Sequence, residues 1–262
     1  THLFHNKAYM AATVGEFFMA INFSMILVLM GLYLQNTLHY STYDTGLIFI
    51  SMTITMGFLS PVGGKMIDHF GVKVPMVFGA LITTLSMGMM ALLGTESSLF
   101  YVLLVLFLAG TGLGAYFTAC NTAMLWSAPP KDLNVASGVY MMFMMMGNTL
   151  SVVLATSLVV LFGRLYLFEM TEEQGILLSP EQHQTLIEVI AKVDHSAAQL
   201  TQFSEDMVPH LLNWIDASFV RGLSVNMMFG CVFSLIAAGL TLWGMGRLKA
   251  PKLQQAQGHI GV

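Results

Sequence analysis

Apolar positions gather along this chain into six long blocks, at residues 8–34, 46–64, 74–94, 99–126, 135–162 and 222–246. Each has about the 20 residues that an α-helix needs to cross a hydrocarbon core roughly 30 Å thick. Water is absent there, so backbone groups must be satisfied within the segment, and helices are the form expected. The connections are short except for residues 163–221. The pattern predicts an all-α membrane protein of six transmembrane helices: five over residues 1–162, a long loop over 163–221, and the last helix with its tail over 222–262. The long loop carries helical signals of its own. Ser179, Pro180 and Gln182 read as an N-cap, a first-position proline and a capping-box glutamine. Leu186, Ile187, Ile190, Val193, Ala197 and Leu200 then recur at helical spacing, and Val208, Leu211, Leu212, Ile215 and Phe219, beside Trp214, form a second such stretch. A small helical hairpin packed on one mouth of the bundle is expected.

Charge sharpens this picture. Charged residues make up 9 % of the chain, against about 25 % in soluble domains, which is too few to cover a water-facing surface. With the N-terminus inside, Lys7, Lys65, Lys73, Lys131, Arg247, Lys249 and Lys252 fall on inner segments, and only Arg164, Lys192 and Arg221 fall outside. Cytoplasmic loops favour Lys and Arg, so both ends are expected in the cytoplasm, with the long acidic loop outside. A net charge of −4 gives no sign of a nucleic-acid partner. Cys120 and Cys231 lie in apolar runs and read as packing residues. The sequence shows no metal-ligand spacing, nucleotide loop or Ser/His/Asp set, so neither an enzyme nor a bound cofactor is expected. The chain starts at Thr1 with no short apolar signal segment before the first span, and reads as a piece of a longer polypeptide.

Between the second and third spans stand Gly64, Lys65, Met66, Ile67, Asp68, His69, Phe70, Gly71, Val72 and Lys73. This stretch resembles the G-x-x-x-D-R-x-G-x-[KR] loop of the major facilitator superfamily, in the place where that family carries it. The resemblance implies that Gly64, Asp68, Gly71 and Lys73 form a conformational-switch loop, with Asp68 against the positive end of a neighbouring helix. His69 stands where the family usually has Arg. The fourth span lacks the arginine, and the fifth the G-x-x-x-G-P-x-x-G-G signature, that mark N-terminal halves. A C-terminal half is therefore implied, built as two three-helix units of inverted topology. Leu32-Tyr33-Leu34-Gln35, Gly46, Ala136-Ser137-Gly138 and the long outer loop are similar to the fourteen-helix drug:proton antiporter branch. That likeness implies proton-coupled efflux of drugs or other small apolar or cationic compounds from the bacterial cytoplasmic (inner) membrane. The energy source would be the proton gradient, and the partners would be a small-molecule substrate, membrane lipid and the missing N-terminal half. The fifth span departs from the branch, with Met141–Met146 and Gly147-Asn148 where an Asn, an Arg and a G-G-x-x-G are common. A metabolite carrier of the same fold and a non-transporting membrane scaffold or assembly protein remain alternatives.

Glu16 is the acidic residue well inside a span, about 9 Å deep if the apolar core starts near Met10. An ionisable group at that depth costs several kcal/mol unless it is paired, wet or protonated, so Glu16 is the proton-coupling candidate. Its structural alternative is a glutamate satisfied by a neighbouring helix. Ser137, Met141, Met144, Asn148, Ser151 and Ala155 share one face of the fifth span, and Thr111, Ala115, Thr118 and Thr122 one face of the fourth, with Asn121 alongside. Small, weakly polar stripes serve helix packing or line a cavity. Asn22, Thr118, Asn121, Met144 and Asn148 are the substrate-cavity candidates, although Asn22 lies about 120° around its helix from Glu16. The 22 methionines would suit a pocket that accepts many apolar shapes, but a consecutive run faces every direction, so most of Met141–Met146 must meet lipid or other helices.

Overall fold

The structure, a computed structural model, describes residues 2–173 and 208–246. A short α1 (His2–His5) leads into α2 (Lys7–Leu32), α3 (Thr42–Phe70), α4 (Lys73–Met90), α5 (Leu99–Ser127), α6 (Leu133–Glu173) and α7 (Val208–Gly244). The last six are long and apolar enough to cross a membrane, and no strand occurs among the described residues. Local chemistry sets several boundaries. Asn6 caps α2, its Oδ1 accepting from the N–H groups of Ala8 at 3.0 Å and Tyr9 at 3.4 Å. Ser41 and Ser98 do the same for α3 and α5 through Asp44 and Tyr101. α3 stops at Gly71, whose φ of 78° suits a residue without Cβ and whose N–H closes onto the Ile67 carbonyl. α2 ends in a π turn, Tyr33–Thr37, pinned by the Tyr33 hydroxyl donating to the Gly94 carbonyl at 2.6 Å.

Two helices run past the expected apolar blocks. At roughly 1.5 Å per residue, the 41 residues of α6 reach about 60 Å, twice the hydrocarbon thickness. The stretch from Val208 to Phe219 is not a separate hairpin arm but the beginning of α7. Pro209 sits in its first turn, where a missing N–H breaks no bond, and nothing interrupts the helix before the membrane span. The other expected arm, residues 179–200, lies outside the described residues.

The six long helices interlock. α2 packs on α6 and α7, α5 packs on α3 and α4, and the pairs α2–α5 and α4–α7 close the bundle. Exchanging α2–α4 with α5–α7 maps these pairs onto one another. Small residues make the seams close, since apolar lipid supplies no hydrophobic drive between helices. A Cβ on Gly112 would lie 2.7 Å from the Gly79 carbonyl oxygen, and one on Gly147 2.5 Å from that of Phe17. Polar bonds reinforce the contacts: Ser86 donates to the Val105 carbonyl at 2.7 Å and Ser151 to that of Ile21 at 2.8 Å. At the lysine-bearing end, Asn6 Nδ2 reaches the Ser127 carbonyl, the Tyr9 hydroxyl that of Ala136, and Lys73 Nζ that of Leu242. α2 and α5 are thus central, while α3 and α6 leave most of their surface uncovered.

Candidate functional site

The face that α3 and α6 leave open contains a cavity of about 280 Å³. Helical spacing brings its wall together. Glu16, Ala20 and Phe23 come from successive turns of α2; Phe117 and Asn121 from α5; and Tyr140, Met144 and Asn148 from α6, with Met56 of α3 at the edge. The Phe23 and Phe117 rings meet edge to face, centroids 6.0 Å apart, as their quadrupoles favour. Met56, Phe117 and Asn121 also border an adjoining cleft of about 490 Å³, whose remaining wall includes Ser60, Thr118 and Thr122. Ser60 and Thr118 share a hydroxyl bond of 3.1 Å there, and Thr118 also donates to the Gly114 carbonyl.

Glu16 is 2 % exposed, so its carboxyl is all but removed from water while still lining the cavity. The Tyr140 hydroxyl and the Cys120 thiol stand beside it, and Oε2 has no hydrogen-bond partner. Cys120 is committed elsewhere as well, its Sγ lying 3.2 Å from the Ala12 carbonyl oxygen. One turn away, the Tyr116 hydroxyl rests on Gly15, in space that any side chain there would occupy. The Asn148 Oδ1 is a second buried acceptor without a partner. The cavity therefore combines aromatic and thioether walls with two buried oxygens left without a donor, Glu16 Oε2 and Asn148 Oδ1. Such a wall suits a ligand that is apolar in body and donates hydrogen bonds or carries positive charge.

Of the residues singled out in the sequence, Glu16, Asn121, Met144 and Asn148 come together around this cavity, and Thr118 lines the adjoining cleft. Asn22 does not join them. It is fully buried in the α2–α7 seam, its Nδ2 donating to the Gly230 carbonyl at 3.1 Å. The turn of about 120° from Glu16 carries it to the side that α7 covers. The stripe on α6 also divides. Met141, Met144 and Asn148 reach the cavity, whereas Ser151 and Ala155 are buried in packing. Of the expected loop, Gly64 and Asp68 instead belong to the last two turns of α3, Gly64 with open space before it; Gly71 alone forms the turn, and Lys73 opens α4 and donates to the Leu242 carbonyl at the end of α7. Asp68 is exposed and, among the described residues, its carboxylate makes no hydrogen bond or ion pair. His69 turns its Nδ1 back onto the Lys65 carbonyl at 3.0 Å. Tyr140 escaped the sequence reading, although it precedes Met144 and Asn148 at intervals of one turn. Cys120 carried no signal, because its significance lies in a neighbour from another helix.

Six lipid-length helices closed on one side and hollowed on the other define an integral membrane protein with a small-molecule cavity at an open face. The chain belongs to the Major Facilitator Superfamily, which it matches over residues 12–170. It is similar to the Quinolone resistance protein NorB of Staphylococcus aureus strain MRSA252, at 28 % identity over 155 residues, 58 % of this chain and 33 % of the relative. The protein of that name from strain JH9 is 27 % identical over the same shares. The chain spans about a third of the length of these curated relatives.

Proposed function

We propose that this chain is the C-terminal six-helix half of a carrier that expels drugs or other small apolar or cationic compounds in exchange for protons. The observation that carries this reading is the Glu16 carboxyl, nearly dry yet set into the wall of an aromatic and methionine-lined cavity. A bare carboxylate in that position is costly, because burial removes the water that would solvate its charge. A proton relieves the cost, and so does a substrate cation seated in the cavity. The two are mutually exclusive at one carboxyl, so arrival of one favours departure of the other. That exclusion, combined with alternating exposure of the cavity, is antiport. Energy comes from the proton gradient, with no bound cofactor. The uncovered face of α3 and α6 is then where the N-terminal half sits, and the exposed Asp68 awaits a helix N-terminus supplied by that half. Both ends of the chain lie in the cytoplasm, and the membrane is the bacterial cytoplasmic one. The similarity to quinolone resistance proteins supports the efflux direction.

The test is substrate efflux driven by a pH gradient, with the complete carrier in liposomes. Glu16→Gln fixes a neutral side chain of nearly the same shape. Gradient-driven efflux should fall at least tenfold, while substrate binding persists and loses its pH dependence. Wild-type efflux with unchanged pH dependence in the Gln variant refutes the coupling role.

A further inference from the structure

Hydroxyl groups buried between helices usually donate to backbone carbonyls here. Tyr9 donates to Ala136, Tyr33 to Gly94 and Tyr101 to Met89, at 2.6–2.8 Å. Each such bond ties two segments together and involves no group that titrates near neutrality. Tyr140 is different. It is 2 % exposed, comes from α6 into the wall of the cavity that Glu16 of α2 also lines, and its hydroxyl stands beside that titratable carboxyl rather than on a backbone carbonyl. We propose that Tyr140 is a positioning residue, whose hydroxyl holds the Glu16 carboxyl at the cavity wall and sets how readily that carboxyl takes up a proton.

The neighbours narrow the choice to this side chain. On α5, the side facing Glu16 brings Cys120 and Tyr116. The Cys120 thiol is a weak donor already directed at the Ala12 carbonyl. The Tyr116 hydroxyl has no hydrogen-bond partner, but it lies over Gly15 and outside the cavity wall. α7 brings, among the described residues, no titratable group to the carboxyl. No lysine, arginine or histidine is among the groups acting on it. Tyr140 is therefore the strong donor that shares the cavity wall with the Glu16 carboxylate. A hydroxyl can reverse its role, donating to the carboxylate and accepting from the carboxylic acid, so one contact serves both states. Because donation to the charged form is the stronger bond, its removal disfavours the charged form selectively.

This inference rests on Glu16 being the proton site, and its test reads Glu16 directly rather than through flux. The purified chain in micelles is titrated while the carboxyl C=O infrared band is followed. The Glu16 component is identified as the part lost in Glu16→Gln. In Tyr140→Phe the midpoint should move to higher pH by about one unit, the worth of one hydrogen bond to a charged group. Fluorotyrosine incorporated at position 140 keeps the shape and is a stronger donor, so the midpoint should move to lower pH. That variant decides the matter should the phenylalanine variant fold poorly. A midpoint that stays fixed in the folded variants overturns the proposal. If the midpoint moves but Glu16→Gln leaves coupled efflux intact, the positioning role stands and the coupling reading falls. If the midpoint is fixed but efflux collapses in Glu16→Gln, the reverse holds.

Discussion

The seam between α2 and α6 holds Glu16 and Tyr140 in register, and two glycines on α6 offer a controlled way to disturb it. A Cβ added at Gly147 would lie 2.5 Å from the Phe17 carbonyl oxygen and 3.1 Å from the Ala20 Cβ. Carbon–oxygen contacts settle near 3.3 Å or more, so the helices must part by about 0.8 Å. The obstacle is backbone, which cannot rotate aside as a side-chain tip would. At Gly138, three residues into the same helix from Val135, an added Cβ meets nothing within 4 Å. Replacing either glycine by alanine gains about 0.5–1 kcal/mol of helix stability from lost unfolded-chain freedom. Only Gly147→Ala also incurs overpacking, about 1–3 kcal/mol. The propensity gain cancels between the variants, so Gly147→Ala should be less stable than Gly138→Ala by about 1–3 kcal/mol. Equilibrium unfolding of the purified chain, with detergent micelles titrated by a denaturing surfactant and helix content followed by circular dichroism, measures the difference. Equal stabilities within about 0.5 kcal/mol would refute the close approach of α2 and α6.

Two further outcomes follow from individual placements. Asn22→Ala removes the bond to the Gly230 carbonyl and should cost about 1–2 kcal/mol in the same unfolding assay, while a fluorescent substrate binds the complete carrier with unchanged affinity; a large affinity loss at retained stability would put Asn22 back in the cavity. With Cys120 and Cys231 removed, a cysteine at the exposed Glu96 should react with an impermeant thiol reagent added to intact cells and one at the exposed Lys131 should not, and the opposite pattern reverses the orientation.

The spans were legible because hydrocarbon imposes a length of about 20 apolar residues whatever the partners are. Where the helices end was less so. Past Phe162 the chain reads Gly163, Arg164, Leu165 and Tyr166, a mixture that no membrane requires to be helical and that does not forbid a helix. The apolar spacing of Val208 to Phe219 is plain in the sequence, but continuity with the next span depends on no breaker intervening. At the site, Glu16 announced itself by charge in an apolar run. Met144 and Asn148 followed from spacing. Asn22 had the same kind of signal, a polar residue in mid-span, and the difference was which neighbour covers its side of α2. Tyr140 and Cys120 needed that same tertiary information, since a tyrosine or cysteine in an apolar block is ordinary until a carboxyl stands against it.

The interlock of the helices bears on which parts can move. α2 lies against α6 and α7, and α5 against α3 and α4, so neither three-helix unit can shift without opening seams of backbone-level contact such as Gly79–Gly112 and Phe17–Gly147. Side chains cannot absorb a displacement there, and the polar bonds at the lysine-bearing end would break with it. The six helices therefore form one body. The cavity walls come from α2 and α5, the first helices of the two units, and from α3 and α6, the second; none of the lining residues belongs to α4 or α7. The exchange that relates the units thus also relates the two sides of the cavity. In the carrier proposed above, a cavity built this way at the edge of a body, rather than through its middle, would change access as the whole body rocks against the proposed N-terminal half on α3 and α6. Glu16 and Tyr140 would then travel together, keeping their mutual geometry through the motion that exposes them to one side or the other.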